Sequence, residues 1–106
     1  VRFYKLIFLS SWKPQAGKAF EHYIFMELVA YRGLKELDFE ITFWRRRSGL
    51  EVDFILGDAE VAIEIKLGDN TKTADLRGLV SFQQHYQPRR CIVVNNSPRT
   101  RQQFQI

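Results

Sequence analysis

The chain's patterning predicts an α/β domain in the order helix, three strands, helix, strand. Three observations lead there. Phe20, Ile24, Leu28 and Tyr31 recur at helical spacing after Gly17. The runs Leu50 to Leu56 and Val61 to Lys66 alternate apolar and polar residues. A second helical stripe, with Leu76, Leu79, Val80, Phe82, Gln83 and Tyr86, precedes the apolar run Cys91 to Val94.

The first helix is read from Gly17 to Arg32, with Gly33 as its stop. Ahead of it, residues 1–16 form an apolar, aromatic arm without a clear period, open to reading as a buried strand, an irregular arm or the stump of an upstream region. Ile41 to Arg47 is β-branched and aromatic, and Ser48-Gly49 is a turn dipeptide. A two-residue loop there would set Trp44 opposite Asp53, with Ile41 and Phe43 on the apolar face and Trp44 and Arg46 on the other.

The next two runs give a hairpin with Asp58-Ala59 at its tip. Strand side chains alternate with period two, so Asp53 then lies opposite Glu64, with Lys66 on the same face. Val52, Phe54, Leu56, Val61, Ile63, Ile65 and Leu67 form the apolar back, and Glu51, Asp53, Glu64 and Lys66 a charged front. Ile55 and Ala62 on that front point to partial cover by a helix. Leu67-Gly68-Asp69-Asn70 breaks the third strand, Thr73 is placed to cap the second helix, and Pro88 ends it.

At 106 residues the chain is read as one domain, residues 1–106, with one core. A 45% apolar content excludes compositional disorder. The net charge of +4 permits a polyanionic partner, DNA ahead of acidic protein, without demanding one. One cysteine, Cys91, excludes a disulfide framework and a zinc thiol pair and favours a reducing, cytoplasmic address. No apolar run approaches the roughly 20 residues that span a bilayer, and the chain opens on Val1, which suggests a piece of a longer soluble protein.

Carboxylates gathered across a hairpin repel, so such a pair usually takes up a cation or a proton. Hard divalent ions such as Mg²⁺ or Mn²⁺ suit Asp53 and Glu64, with the Ile65 carbonyl as a further ligand. Lys66 beside them would orient a water or neutralise phosphate charge.

Here the chain resembles the PD-(D/E)XK nuclease superfamily: Asp53 matches the first acidic position, Glu64-Ile65-Lys66 the (Asp/Glu)-X-Lys motif, and Gly17-Lys18-Ala19-Phe20-Glu21 a first-helix segment that makes Glu21 the third acidic candidate. The resemblance implies a restriction-endonuclease-like core with a mixed central sheet flanked by helices. Together with Arg47-Ser48-Gly49-X-Glu51-Val52-Asp53-Phe54, these motifs are most similar to the uncharacterised domain that follows the ATPase module of prokaryotic AAA-type ATPases. No phosphate-binding Gly-Lys-Ser/Thr loop is present, so an ATPase module in cis would lie outside this chain.

The resemblance implies a Mg-dependent (or Mn-dependent) deoxyribonuclease with Asp53, Glu64, Lys66 and Glu21 as catalytic residues and Asp53, Glu64, Ile65 and Glu21 as metal ligands. Its alternative is a catalytically inactive module that binds nucleic acid or a partner for an attached ATPase. Simpler readings stand beside both: a cross-strand ion pair for Asp53, Glu64 and Lys66, and a helix-surface acid for Glu21. Arg45-Arg46-Arg47 with Trp44, Lys18, Lys72, Arg77, Arg89 and Arg90 could line a nucleic-acid track. His22 and His85 lack partners at metal-ligand spacing.

Overall fold

The computed structural model describes residues 2–7, 17–66, 72–95 and 102–105. Leu67, the Gly68-Asp69-Asn70 break, the side chain of Thr73 and residues 8–16 of the arm lie outside the described residues. The elements are β1 (Arg2–Ile7), α1 (Gly17–Leu34), β2 (Ile41–Arg45), β3 (Glu51–Leu56), β4 (Val61–Ile65), a 3₁₀ turn (Thr73–Leu76), α2 (Arg77–Tyr86), β5 (Arg90–Asn95) and β6 (Gln102–Gln105). They form a mixed sheet in the order β2-β3-β4-β5-β1-β6. Strands β2 to β4 are antiparallel neighbours, β4 and β1 run parallel to β5, and β6 runs antiparallel to β1. The predicted order from α1 to β5 is therefore observed, and the arm contributes a strand.

Among the described residues each sheet face carries one α-helix. Phe20 and Ile24 of α1 bury against Phe54, Ile63 and Val94, and Phe25 stacks on Phe54 with ring centroids 6.1 Å apart. On the other face Leu76 of the 3₁₀ turn, with Leu79 and Phe82 of α2, covers Val52, Ile55, Ala62, Cys91 and Val93. Trp44 sets its ring edge-on to Phe82 at 5.4 Å. Burying side chains of this size contributes about 1.5–3 kcal/mol each, which makes the two helix–sheet contacts the main source of stability.

Gly33 does not stop α1. The helix closes through Glu36, whose φ of 54° reverses the chain while the Leu37 and Glu36 amides donate to the Arg32 and Gly33 carbonyls at 3.0 and 3.2 Å. That is a Schellman closure built on a non-glycine residue. Tyr31, expected on the apolar stripe, is half exposed. At the start of the 3₁₀ turn that leads into α2, the Lys72 amide donates to the Asp75 carboxylate at 3.0 Å.

The β3–β4 hairpin has the expected register, with Phe54 opposite Ile63, Ile55 opposite Ala62 and Leu56 opposite Val61 across a four-residue turn. The β2–β3 hairpin does not. Thr42 faces Ile55 but Trp44 faces Val52, so two residues of β3, Asp53 and Phe54, oppose the single residue Phe43. This is a β-bulge in β3, which bends the strand and re-aims its side chains. Trp44 is thus opposite Val52, not Asp53. The turn below it holds three residues, with the Arg46 amide bonded to the Leu50 carbonyl at 2.8 Å and Gly49 at φ 95°. A three-residue loop of this kind, with a positive-φ residue before the second strand, shifts the pairing by one.

Candidate active site

The bulge decides where the acids go. It turns Val52 from the α1 side into the α2-side cluster, so the apolar back loses Val52. The expected charged front is also divided: Glu51 is exposed, Asp53 and Lys66 are half-buried, and Glu64 is only 6% exposed. Helix cover on both faces, foreshadowed by Ile55 and Ala62, is the reason.

At the end of the hairpin β3 and β4 stop pairing through their main chains, and two carboxylates take over. The Asp53 amide donates to Glu64 Oε1 at 3.3 Å, and the Ile65 amide donates to Asp53 Oδ2 at 2.7 Å. The other Glu64 oxygen, Oε2, meets Lys66 Nζ at 3.2 Å. Asp53, Glu64, Ile65 and Lys66, all singled out in the sequence, are therefore brought together.

The pair is short of positive charge. Burial, and after it the charge of Asp53, pushes the Glu64 carboxyl up to about 8 against the pull of Lys66. Burial likewise raises Asp53, opposed by the hydrogen bonds from Ile65 and Glu64 and by Lys66. Near neutral pH the two therefore share one negative charge more readily than they carry two.

Asp53 also forms part of the wall of a cleft of about 460 Å³ between α1 and the β2–β3 hairpin, with Lys18, Glu21, Phe25, Arg45 and Glu51 around it. Glu21 stands there as an exposed acid raised by desolvation, then by Asp53 and Glu51. Arg45 lies over Phe43 at 5.4 Å and pairs with Glu51 at 3.1 Å in an exposed contact that adds little stability.

Two carboxylates with hard oxygen donors, held together in a setting that resists a second negative charge, suit a hard divalent cation in their chemistry. Among the described residues no three His, Cys, Asp or Glu side chains converge closely enough to hold a metal ion, so Glu21 shares the cleft without completing a three-carboxylate group.

Other expected residues fall elsewhere. His85 Nδ1 donates to the Ser81 carbonyl at 2.9 Å while its Nε2 lies 3.4 Å from Arg46, and Tyr86 packs on Phe82. Arg89 pairs with Glu60 at 3.8 Å on the surface. Two features escaped the sequence reading. One is the bulge. The other is Gly78, where a Cβ would collide with the main chain of Glu51; its signal was a glycine inside a helical pattern.

The fold and site define an α/β domain with a mixed sheet, a helix on each face and a paired-carboxylate and lysine centre where two strands part. Residues 16–105 match the family model described as a domain of unknown function, DUF4143, and the chain belongs to that family. Comparison with curated proteins and with solved structures gave no match. Among the described residues no helix is long and apolar enough to cross a membrane.

Proposed function

We propose that the domain is a metal-dependent phosphodiesterase acting on DNA, with a restriction-endonuclease-like core of the PD-(D/E)XK type. The observation that carries this reading is the reciprocal bonding of Asp53 and Glu64 at the parting of β3 and β4, with Lys66 on the buried glutamate. Asp53 and Glu64, with the Ile65 carbonyl, would hold Mg²⁺ or Mn²⁺. The bound ion would supply Lewis-acid stabilisation of phosphate charge.

The chain's own groups do the rest. The Ile65 amide fixes the Asp53 carboxylate, so its orientation costs nothing when substrate arrives. Lys66 holds the charge of Glu64 and orients the attacking water. Lys18 and Arg45 on the cleft rim attract the DNA backbone, and Glu21 biases the charge of Asp53 from the helix side. An ATPase module in cis, outside this chain, and a cytoplasmic setting complete the proposal.

A second reading has its own support. Asp53 Oδ2 and both Glu64 oxygens are already engaged by amides and by Lys66, as they would be in a purely structural junction. That favours a non-catalytic module binding nucleic acid or a partner on behalf of an ATPase.

Cleavage assays on single-stranded and duplex DNA in Mg²⁺ and Mn²⁺ separate the two. The catalytic reading expects Asp53→Ala and Lys66→Ala each to lower the rate by about 10²-fold or more, with folding retained. Undiminished cleavage by both variants rejects it. Salt-dependent DNA binding without cleavage supports the second reading.

A further inference from the structure

Strand β2 ends the sheet: among the described residues it pairs with β3 alone. Its inward-facing main-chain groups are identified by two bonds to the β3 side, from the Gly57 amide to the Glu40 carbonyl and from the Arg46 amide to the Leu50 carbonyl, each 2.8 Å. Strand alternation then turns the amides and carbonyls of Ile41, Phe43 and Arg45 outward. A row of such groups is a template for another strand.

Proteins commonly guard such edges with a bulge or an apolar-poor surface. Here the extra residue of the bulge belongs to β3, which leaves the outer edge of β2 regular, and Phe43 at its centre is 66% exposed. The charges flanking Phe43 are polarised: Asp38 and Glu40 precede it, and Arg45, Arg46 and Arg47 follow it.

We propose that the β2 edge pairs antiparallel with the β2 edge of a second copy of this chain, across a two-fold axis through Phe43. With that register Ile41 faces the partner copy's Arg45 position, and Phe43 faces its own equivalent. Glu40 faces the Arg46 position, twice by symmetry. The edge is thus complementary to itself, which is what an isologous interface requires. An aromatic cross-strand pair and two opposite-charge pairs supply the side-chain part of the contact.

A two-fold axis normal to the sheet keeps both Asp53 clefts on one face of a continuous sheet. Their β3 strands would stand three strand spacings apart, roughly 14 Å. The inference does not rest on the proposed activity, since the edge geometry and charge order are independent of what the cleft does.

Sedimentation equilibrium of the whole chain from micromolar to millimolar concentration tests it, with circular dichroism confirming that each variant folds. The native chain is expected to be a dimer in exchange with monomer. Glu40→Arg should raise the dissociation constant about tenfold or more, and Phe43→Glu should do the same. The charge swap Glu40→Arg/Arg46→Glu should restore the native value. A monomer at every concentration overturns the proposal, as does a dimer whose constant neither single variant moves or one that the swap fails to restore.

Discussion

Asp53 and Glu64 each bond across to the other's strand: the Asp53 amide donates to Glu64, and the Asp53 carboxylate accepts the amide of Ile65, the residue after Glu64. Side chains here replace the main-chain ladder, so the site and the end of the hairpin are one structure. Changing either carboxylate should disturb both local pairing and chemistry.

The pH dependence of stability follows from Glu64. Its carboxyl is raised from 4.5 to about 8 in the folded protein, chiefly by burial. The folded state therefore keeps a proton that the unfolded chain releases, and stability falls as pH rises between those two values. Asp53 and Glu21 are raised as well and act in the same direction. Thermal melts should give a lower Tm near pH 8 than near pH 5, with a shallower slope in Glu64→Gln. A Tm that rises over this range, or an equal slope in the variant, would contradict this assignment.

Gly78 brings α2 hard against the main chain of Glu51, two residues before Asp53. Gly78→Ala should cost about 1–3 kcal/mol, because neither backbone can give way cheaply. Gly33 in α1 has open space around its Cβ position, so Gly33→Ala should be neutral or stabilising by up to about 1 kcal/mol. Denaturant unfolding of both variants measures the contrast; equal effects would place α2 elsewhere.

Cys91 is fully buried in the α2-side core, and burial pushes its thiol up to about 11. A buried thiol that stays protonated reacts only when the structure opens. Labelling by a thiol reagent near pH 8 should therefore follow the unfolding rate and accelerate in Phe82→Ala, which removes a neighbour in the same cluster. Rapid labelling of the native chain would show that β5 is accessible.

The helices, the strands from Ile41 to Ile65 and the Asp53–Glu64 register were legible because period-two and helical patterns are strong over these stretches. The apolar residues Phe54, Ile63 and Ile65 fixed the β3–β4 pairing, since a one-residue slip would have put Phe54 on the opposite face from Ile63 and Ile65. The β3 bulge was not legible, because Val52-Asp53-Phe54 alternates as an unbulged strand would. Only the length of the turn at Arg47-Ser48-Gly49 distinguishes the two pairings, and the dipeptide Ser48-Gly49 reads equally well as a two-residue loop. The closure of α1 at Glu36 was hidden for a similar reason: Gly33 is the residue that favours a stop, but local hydrogen bonding placed the reversal three residues later.

The central claim is that Asp53 and Glu64 form a cation site, and calorimetric titration of Mn²⁺ into the native chain, Asp53→Asn and Glu64→Gln tests it most directly. Because the cation must displace the proton that Glu64 retains, native binding should release protons and tighten from about pH 6 to about pH 8.5. Both variants should lose it. Absent binding in the native chain at either pH, or isotherms that the substitutions leave unchanged, would contradict the account.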